Sequence, residues 1–205
     1  MDPHTDGFFD RDALEVAHDL IGCVLTRHEG LRVRITEAEA YRFPGDSANH
    51  ARMGLTPRNA PMWGPSGHLY VYLCYGVHPM LNLVTGPGGH AAAVLLRGGE
   101  PMQDTIMGRG GAPPRNAPRL DGPGTLAQAL GVTTAHTGLR LDAVFALDAP
   151  DRPVTRLAGP RVGIDYAAPE HRDAPWRVAC ASSLHVGHRR TLAPIPATSS
   201  APGSR

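Results

Sequence analysis

Short runs in which apolar and polar residues alternate dominate the first half of the chain. Leu31, Val33 and Ile35 alternate with arginine and threonine, the period-two pattern of a strand with one buried face. Turn residues separate these runs, which predicts neighbouring antiparallel strands joined by hairpins. The predicted strands cover residues 23–28, 31–41, 68–75, 80–85, 91–102, 139–147 and 159–165.

Two segments carry helical patterns instead. Residues 10–22 place apolar side chains at helical spacing, with Asp10 as the predicted N-cap and Gly22 at the end. Residues 124–131 predict a shorter helix. Because strands and helices do not alternate regularly, the predicted fold class is α+β: a curved antiparallel β-sheet flanked by helices, with a protruding β-hairpin.

The length of 205 residues and the hydrophobic content of 41% suit one domain with a substantial core. We predict a single domain over residues 1–190. Residues 108–124 are rich in proline and glycine and lack a partner for a core, which predicts a mobile surface loop. Residues 191–205 have little to bury and predict a disordered C-terminal tail.

Features that the sequence lacks disfavour several classes of protein. It has no apolar run of about 18 residues and no signal-peptide pattern, so we expect no membrane contact and a cytoplasmic, bacterial nucleoid-associated location. The three cysteines show no metal-ligand spacing, and the histidines form no HxH or HExxH motif. We therefore expect no metal and no other cofactor, and we expect a monomer.

All 20 basic residues are arginine, and the absence of lysine excludes Schiff-base chemistry by a lysine side chain. The net charge of +1 says little about nucleic acid, because phosphate contact depends on how charge is distributed. For arginines in the 108–124 loop, solvation of a surface loop is an equally weighted alternative. The candidate phosphate contacts are Arg52, Arg58, Arg109, Arg115 and Arg119.

Two acids follow the apolar run of the second strand. If the alternation continues unbroken, Glu37, Glu39 and Tyr41 lie on the same face as Val33 and Ile35. A carboxylate on an apolar face is desolvated, which suits a general base. Glu39 is the better candidate of the two because Tyr41 lies beside it. The alternative is a structural carboxylate paired with an arginine such as Arg97.

Tyrosines are the other candidates for chemistry. Tyr41 and Tyr72 on strands could sandwich a flat ring, although core packing is the ordinary role of such residues. His50 lies in a predicted loop and could bind a ring or a phosphate. Tyr75 precedes Gly76 at a predicted hairpin tip, where a large side chain is costly unless it inserts into something such as a DNA base stack.

Taken together, these motifs resemble a known family. The chain contains, in order, E-A-E-A-Y, a histidine, T-P-R-N, Y-V-Y-x-x-Y-G, N-L, V-L-L-R-G-G-E-P-M and G-P-G-T-L-A-Q-A-L-G. This order and spacing closely resemble the alkyladenine type of 3-methyladenine DNA glycosylases, over residues 20–131 and again, more weakly, at G-P-R-V-G-I-D.

The resemblance implies an activity and a partner. It implies a monofunctional DNA glycosylase of base excision repair that flips damaged purines out of duplex DNA and hydrolyses the N-glycosidic bond, with no AP lyase activity. The implied substrates are alkylated or deaminated purines of the 3-methyladenine, 7-methylguanine, hypoxanthine and ethenoadenine class. Double-stranded DNA that contains such purines is therefore the expected partner.

The resemblance also implies residue roles. Glu39 would activate the attacking water, Arg97 would help to hold it, and Tyr75 would fill the gap left in the duplex. The base pocket would be formed by Tyr41, His50, Tyr72 and Asn82. The chain departs from the family at Thr125, which replaces a lysine that would face the phosphates.

Two other functions remain open. A non-catalytic protein that binds DNA lesions by flipping would keep the tyrosines and lose the base, so the presence of Glu39 and Arg97 counts against it. An unrelated binder of single strands or RNA could use the same aromatic platform, but it would need no wedge at a hairpin tip.

Overall fold

The computed structural model describes residues 1–28, 30–102 and 119–195. Nine strands and three α-helices lie in these ranges. The helices are α1 (Ala13–Leu20), α2 (Pro123–Ala129) and α3 (Pro169–Arg172). The strands are β1 (Val24–Arg27), β2 (Arg32–Tyr41), β3 (Leu69–Cys74), β4 (His78–Thr85), β5 (Ala92–Pro101), β6 (Phe145–Asp148), β7 (Arg156–Gly159), β8 (Arg177–Cys180) and β9 (Ala193–Pro194).

The nine strands form a single antiparallel sheet in the order β3-β4-β5-β2-β8-β7-β9, with β1 paired to β2 and β6. The long strands β2 and β5 pair from Val33 with Pro101 to Tyr41 with Ala93. With few helices beside this sheet, the predicted α+β class is confirmed. β3 and β4 pair as a hairpin, and how far that hairpin protrudes stays a prediction.

Helix α1 begins at a side-chain cap. Asp12, rather than the predicted Asp10, accepts a hydrogen bond from the backbone N of Leu14 at 2.9 Å. This bond satisfies one of the amides that a helix start leaves without a partner. The buried face of the helix carries Val16 and Leu20, which join the main core against β2 and β5.

A β-bulge in β2 overturns the expectation that the apolar alternation runs unbroken to Tyr41. The pairing of β2 with β5 shifts register between Ile35 and Glu37 and again between Glu37 and Ala38. Val33 and Ile35 belong to the main core, and so do Ala38 and Ala40. The first shift adds a residue in β2 and the second adds one in β5, so pairing resumes in the original register. The extra residue in β2 inverts the alternation of its side chains, and Glu37 and Glu39 therefore lie on the sheet face opposite this core.

Several predicted boundaries are corrected by the structure. Within 139–147 only the last residues are strand, because Leu141–Ala143 form a 3-10 turn. Residues 160–165 form a loop after β7, and β8 and β9 were not predicted. Leu120, assigned to the loop without core partners, is buried in the main core.

The predicted division into domain and tail stays a prediction. Ala193–Pro194 pair with β7, so the first residues assigned to the tail belong to the sheet. Residues 103–118, most of the predicted loop, and residues 196–205 lie outside the described residues. No helix in the described part of the chain is both long and apolar enough to span a bilayer.

Candidate active site

The face of the sheet opposite the main core bears a cavity of about 360 Å³. Cross-strand register explains which side chains meet there, since directly opposed residues share a face. One row runs across four strands, with Tyr70 opposite Asn82, Asn82 opposite Leu95, and Leu95 opposite Glu39. The row next to it sets Tyr41 opposite Ala93. Residues far apart in sequence therefore form one wall.

Glu39 is fully buried at the end of this row. Its Oε2 accepts the hydroxyl hydrogen of Tyr41 at 3.0 Å, and its Oε1 accepts the backbone N–H of Val162 at 2.8 Å. The Nε of Arg97 lies 3.3 Å from the same Oε1. All three partners line the cavity, so this carboxylate lies directly behind the cavity wall.

Glu37 has a different environment. It is also fully buried, and its Oε1 accepts from Nε of Arg97 and from Nη1 of Arg177, both at 3.0 Å. Its Oε2 accepts the backbone N–H of Gly187 at 2.7 Å. Glu37 thus fits the structural carboxylate that was considered for either acid, with Arg97 and Arg177 balancing its charge.

Arg97 connects the two acids. Burial opposes its charge, but the attraction of Glu39 and Glu37 outweighs burial and raises the pKa of Arg97. Tyr41 responds in the expected direction, because burial and then the charge of Glu39 raise its pKa well above the ordinary value. Tyr41 therefore keeps its proton and can donate it to Glu39 as a hydrogen bond.

Aromatic rings line the part of the cavity that is formed by β3 and by the loop carrying His50. His50 and Tyr72 meet edge to face with ring centres 4.6 Å apart, and Tyr70 and Tyr72 lie 5.6 Å apart. Nδ1 of His50 and the hydroxyl of Tyr70 are hydrogen bonded at 3.1 Å. Burial, followed by Arg58 and Arg52, lowers the pKa of His50. Neutral, electron-rich rings therefore surround the space.

Asn82 lines the cavity, as expected, and is nearly fully buried. Its Nδ2 donates to the backbone oxygens of Tyr70 at 3.0 Å and Met80 at 3.2 Å. Both hydrogens of the amide are thus used within the hairpin, and the amide oxygen is the polar atom left to meet a ring in the cavity.

Tyr75 occupies the tip of the β3–β4 hairpin with 93% of its surface exposed. Val77 N donates to the oxygen of Cys74 at 3.1 Å, and both central residues of the turn have positive φ, 50° at Tyr75 and 72° at Gly76. Turns of this kind favour asparagine or glycine, and the left-handed conformation is energetically unfavourable for tyrosine. A strained and exposed aromatic residue points to a role outside the fold.

The predicted phosphate contacts fall in different places. His50, Arg52 and Arg58 line a polar recess of about 350 Å³ that adjoins the cavity. Arg119 is exposed and pairs with Asp121, Nε to Oδ2, at 3.1 Å. The two other predicted contacts, Arg109 and Arg115, lie outside the described residues. Thr125 donates to the oxygen of Gly122 at the start of α2.

Among the cavity residues that the sequence analysis did not assign to the site, Tyr70, Val162 and Tyr166 bring polar groups to it. Tyr70 was predicted in a strand without a role, although its spacing of two from Tyr72 was a usable signal. Val162 and Tyr166 lie in the loop after β7, more than 120 residues from Glu39 in sequence, and only the folded chain brings them there. Among the described residues, no group of His, Cys, Asp or Glu side chains could hold a metal ion.

A small cavity lined by aromatic rings, with a buried carboxylate behind it, has the shape and chemistry that suit a flat polar ring. Comparison with known proteins shows the family to which the chain belongs. A family model described as methylpurine-DNA glycosylase matches residues 7–183. The chain belongs to the methylpurine-DNA glycosylase family, and the resemblance predicted from its motifs is confirmed.

Relatives agree with this assignment. A Nitrosococcus oceani protein named "Putative 3-methyladenine DNA glycosylase" is 51% identical over 190 residues, which cover 91% of this chain and 94% of the relative. The DNA-3-methyladenine glycosylase of Arabidopsis thaliana is 45% identical over 194 residues, covering 92% and 76%. A Myxococcus xanthus protein that is also named "Putative 3-methyladenine DNA glycosylase" is 44% identical over 187 residues, which cover 88% of this chain and 91% of the relative.

Proposed function

We propose that this protein is a monofunctional DNA glycosylase that flips alkylated or deaminated purines out of duplex DNA and hydrolyses their N-glycosidic bond. The observation that carries the proposal is the placement of Glu39, whose three contacts, Tyr41, Arg97 and Val162, all line the aromatic cavity. A base held in the cavity would have its sugar bond near this carboxylate.

In the proposed mechanism, Glu39 accepts a proton from a water molecule as that water attacks the anomeric carbon. Arg97 helps to hold the water, and it remains paired with Glu37 when Glu39 becomes neutral. Purines alkylated at N3 or N7 carry positive charge and leave readily, so a stacked, electron-rich pocket and an activated water suffice. Neutral hypoxanthine needs, in addition, a hydrogen bond or a proton on the leaving purine.

Recognition is assigned to the rings. Tyr41, His50 and Tyr72 would enclose the flipped base, where each stacking contact contributes about 1–3 kcal/mol. Flipping itself costs a few kcal/mol, and less where pairing is already weakened by damage. Tyr75 would enter the vacated space in the duplex, which explains a large exposed ring in a strained turn.

Phosphate contact is assigned to the polar recess beside the cavity. Arg52 and Arg58 flank His50 there, close to where the backbone of a flipped nucleotide would pass. The chain contains no lysine that could form a Schiff base with the abasic sugar. Hydrolysis without strand cleavage is therefore the expected outcome.

Substitution of Glu39→Gln tests the proposal. Wild-type protein should release free base from duplexes containing 3-methyladenine, 7-methylguanine, hypoxanthine or ethenoadenine, and strand breaks should appear only after alkali. The variant should lose release and still bind a duplex with an abasic analogue, because the amide cannot take the proton from water. Full residual activity in this variant would reject Glu39 as the base.

Glu37→Gln is the matched control, since it changes the other buried acid of the same strand. It should lower the free energy of unfolding, because Arg177 loses the carboxylate it pairs with and Arg97 keeps only Glu39. Wild-type protein that binds lesions without releasing base would instead support the lesion-binding alternative.

A further inference from the structure

A second buried ion pair lies beside the cavity, between Asp46 and Arg161. Nη1 and Nη2 of the arginine donate to the two carboxylate oxygens at 2.6 and 2.8 Å, and neither side chain has exposed surface. We propose that Asp46 and Arg161 are positioning residues that fix the ring of Tyr41 and the third donor of Glu39. The inference rests on the proposed function of that site.

Arg161 holds the stacking ring directly. Its guanidinium carbon lies 4.6 Å from the ring centre of Tyr41 and 4.9 Å from that of Trp176, so the cation contacts two aromatic rings at once. Its Nη1 also donates to the backbone oxygen of Ala40 at 2.9 Å, one residue before Tyr41. Both the ring and the backbone at the end of β2 are therefore fixed by one side chain.

Arg161 also fixes the loop that reaches Glu39. The next residue is Val162, whose N–H donates to Oε1 of Glu39 at 2.8 Å. On its other side, Nη2 of Arg161 lies 3.3 Å from the backbone oxygen of His171. The guanidinium thus ties the cavity loop to α3, and a shift of Arg161 would move the Val162 N–H that contacts the carboxylate.

Asp46 connects the ion pair to the chain segment that leads to His50. Its Oδ1 accepts the backbone N–H of Ala48 at 2.9 Å, and its Oδ2 accepts that of Arg42 at 3.2 Å. These bonds shape the turn that leads to His50. The three segments that carry Tyr41, Val162 and His50 are therefore all connected to this single ion pair.

A purely stabilising role explains this pair poorly. Fully buried ion pairs often stabilise a fold less than apolar residues of the same volume, because both charges lose their water. Within the described part of the chain, Nε of Arg161 is buried without a hydrogen-bond partner, which adds to that cost. The ion pair instead makes directional contacts with the three segments that carry Tyr41, Val162 and His50.

Asp46→Asn tests the proposal, because asparagine keeps the shape of the side chain and removes its charge. We expect the maximal single-turnover rate of base release to fall by about tenfold to a hundredfold. Affinity for a duplex with an abasic analogue should change by less than about threefold. Amide hydrogen exchange at Val162 should become at least about tenfold faster, while exchange at Leu96 in β5 stays unchanged.

Asp151→Asn is the matched control. Asp151 also forms a two-bond pair, with Arg34 at 2.5 and 2.9 Å, and neither residue lines the cavity. This variant should leave the rate and the Val162 exchange unchanged. If Asp46→Asn lowers the rate only as much as Asp151→Asn does, the positioning role is overturned.

The exchange measurement separates this inference from the proposed function. Unchanged Val162 exchange in Asp46→Asn overturns the positioning role even if wild-type protein releases base. Faster Val162 exchange supports it even if wild-type protein releases none, in which case the glycosylase proposal alone fails. Should Asp46→Asn not fold, Trp176→Leu keeps the ion pair and removes one ring. It should show the same changes at smaller size, and no change would overturn the inference.

Discussion

The bulge in β2 leaves no room for a side chain at Gly98, which lies opposite it in β5. A Cβ atom added at Gly98 would lie 2.6 Å from the backbone oxygen of His185, 2.7 Å from Oγ1 of Thr36 and 3.0 Å from Cβ of Glu37. None of these atoms is the free end of a flexible side chain. The side chains of Thr36 and Glu37 both approach Gly98, as expected where a bulge inserts a residue.

Gly98→Ala should therefore destabilise the protein. Overpacking of a tight site costs about 1–3 kcal/mol. Displacement of Thr36 from the backbone oxygen of His185, to which its hydroxyl donates, adds about 0.5–1.5 kcal/mol. We expect a loss of about 2–4 kcal/mol in the free energy of unfolding, measured by urea denaturation.

Gly99→Ala is the matched control on the opposite face. Its added Cβ would lie 2.7 Å from Cδ1 of Leu126 and 3.4 Å from Cβ of Val33. A leucine methyl can move, so this variant should stay within about 1 kcal/mol of wild type. Equal stability of the two variants would refute the account of the bulge as a tightly packed feature that requires glycine opposite it.

Two further predictions concern the site. Tyr75→Ala should weaken lesion affinity by about 1–3 kcal/mol without changing the free energy of unfolding, because the exposed ring packs on nothing. Leu184→Ala serves as the control, since Leu184 is also apolar and exposed. An unchanged lesion affinity in Tyr75→Ala contradicts the proposed insertion of Tyr75 into the duplex. Burial, Arg58 and Arg52 lower the pKa of His50 below 6.5, so the unfolded chain binds more protons below that pH. Wild-type stability should therefore fall relative to His50→Gln as pH drops below 6.5 in urea denaturation, and a constant difference contradicts this.

The alternation of apolar and polar residues was enough to predict the part of the site that lies on β3 and β4. The tyrosines of β3 and Asn82 of β4 share a hairpin, and period-two alternation is enough to place them on strands. The bulge left no such mark, because Thr36 and Glu37 are ordinary strand residues and the space for the extra residue is provided by Gly98 on another strand. An inference from parity alone therefore assigned both acids to the wrong face of β2.

The loop after β7 could not be predicted for a different reason. Arg161 and Val162 contact β2 at Ala40 and Glu39, across more than 120 residues of sequence, and these contacts exist only in the folded chain. The motif G-P-R-V-G-I-D was predicted to be a strand. In the structure Val162 offers its backbone N–H to a carboxylate, a function that no side-chain pattern records.

The two acids of β2, two residues apart, have different partners, which supports the separate roles proposed for them. Both turn away from the main core and both approach Nε of Arg97, Glu37 at 3.0 Å and Glu39 at 3.3 Å. Glu37 has a second arginine, Arg177, with no exposed surface, whereas Glu39 has only neutral donors besides Arg97. A proton taken up by Glu39 leaves Arg97 still paired with Glu37. The acid with fewer cationic partners is therefore the one to which we assign the proposed role of general base.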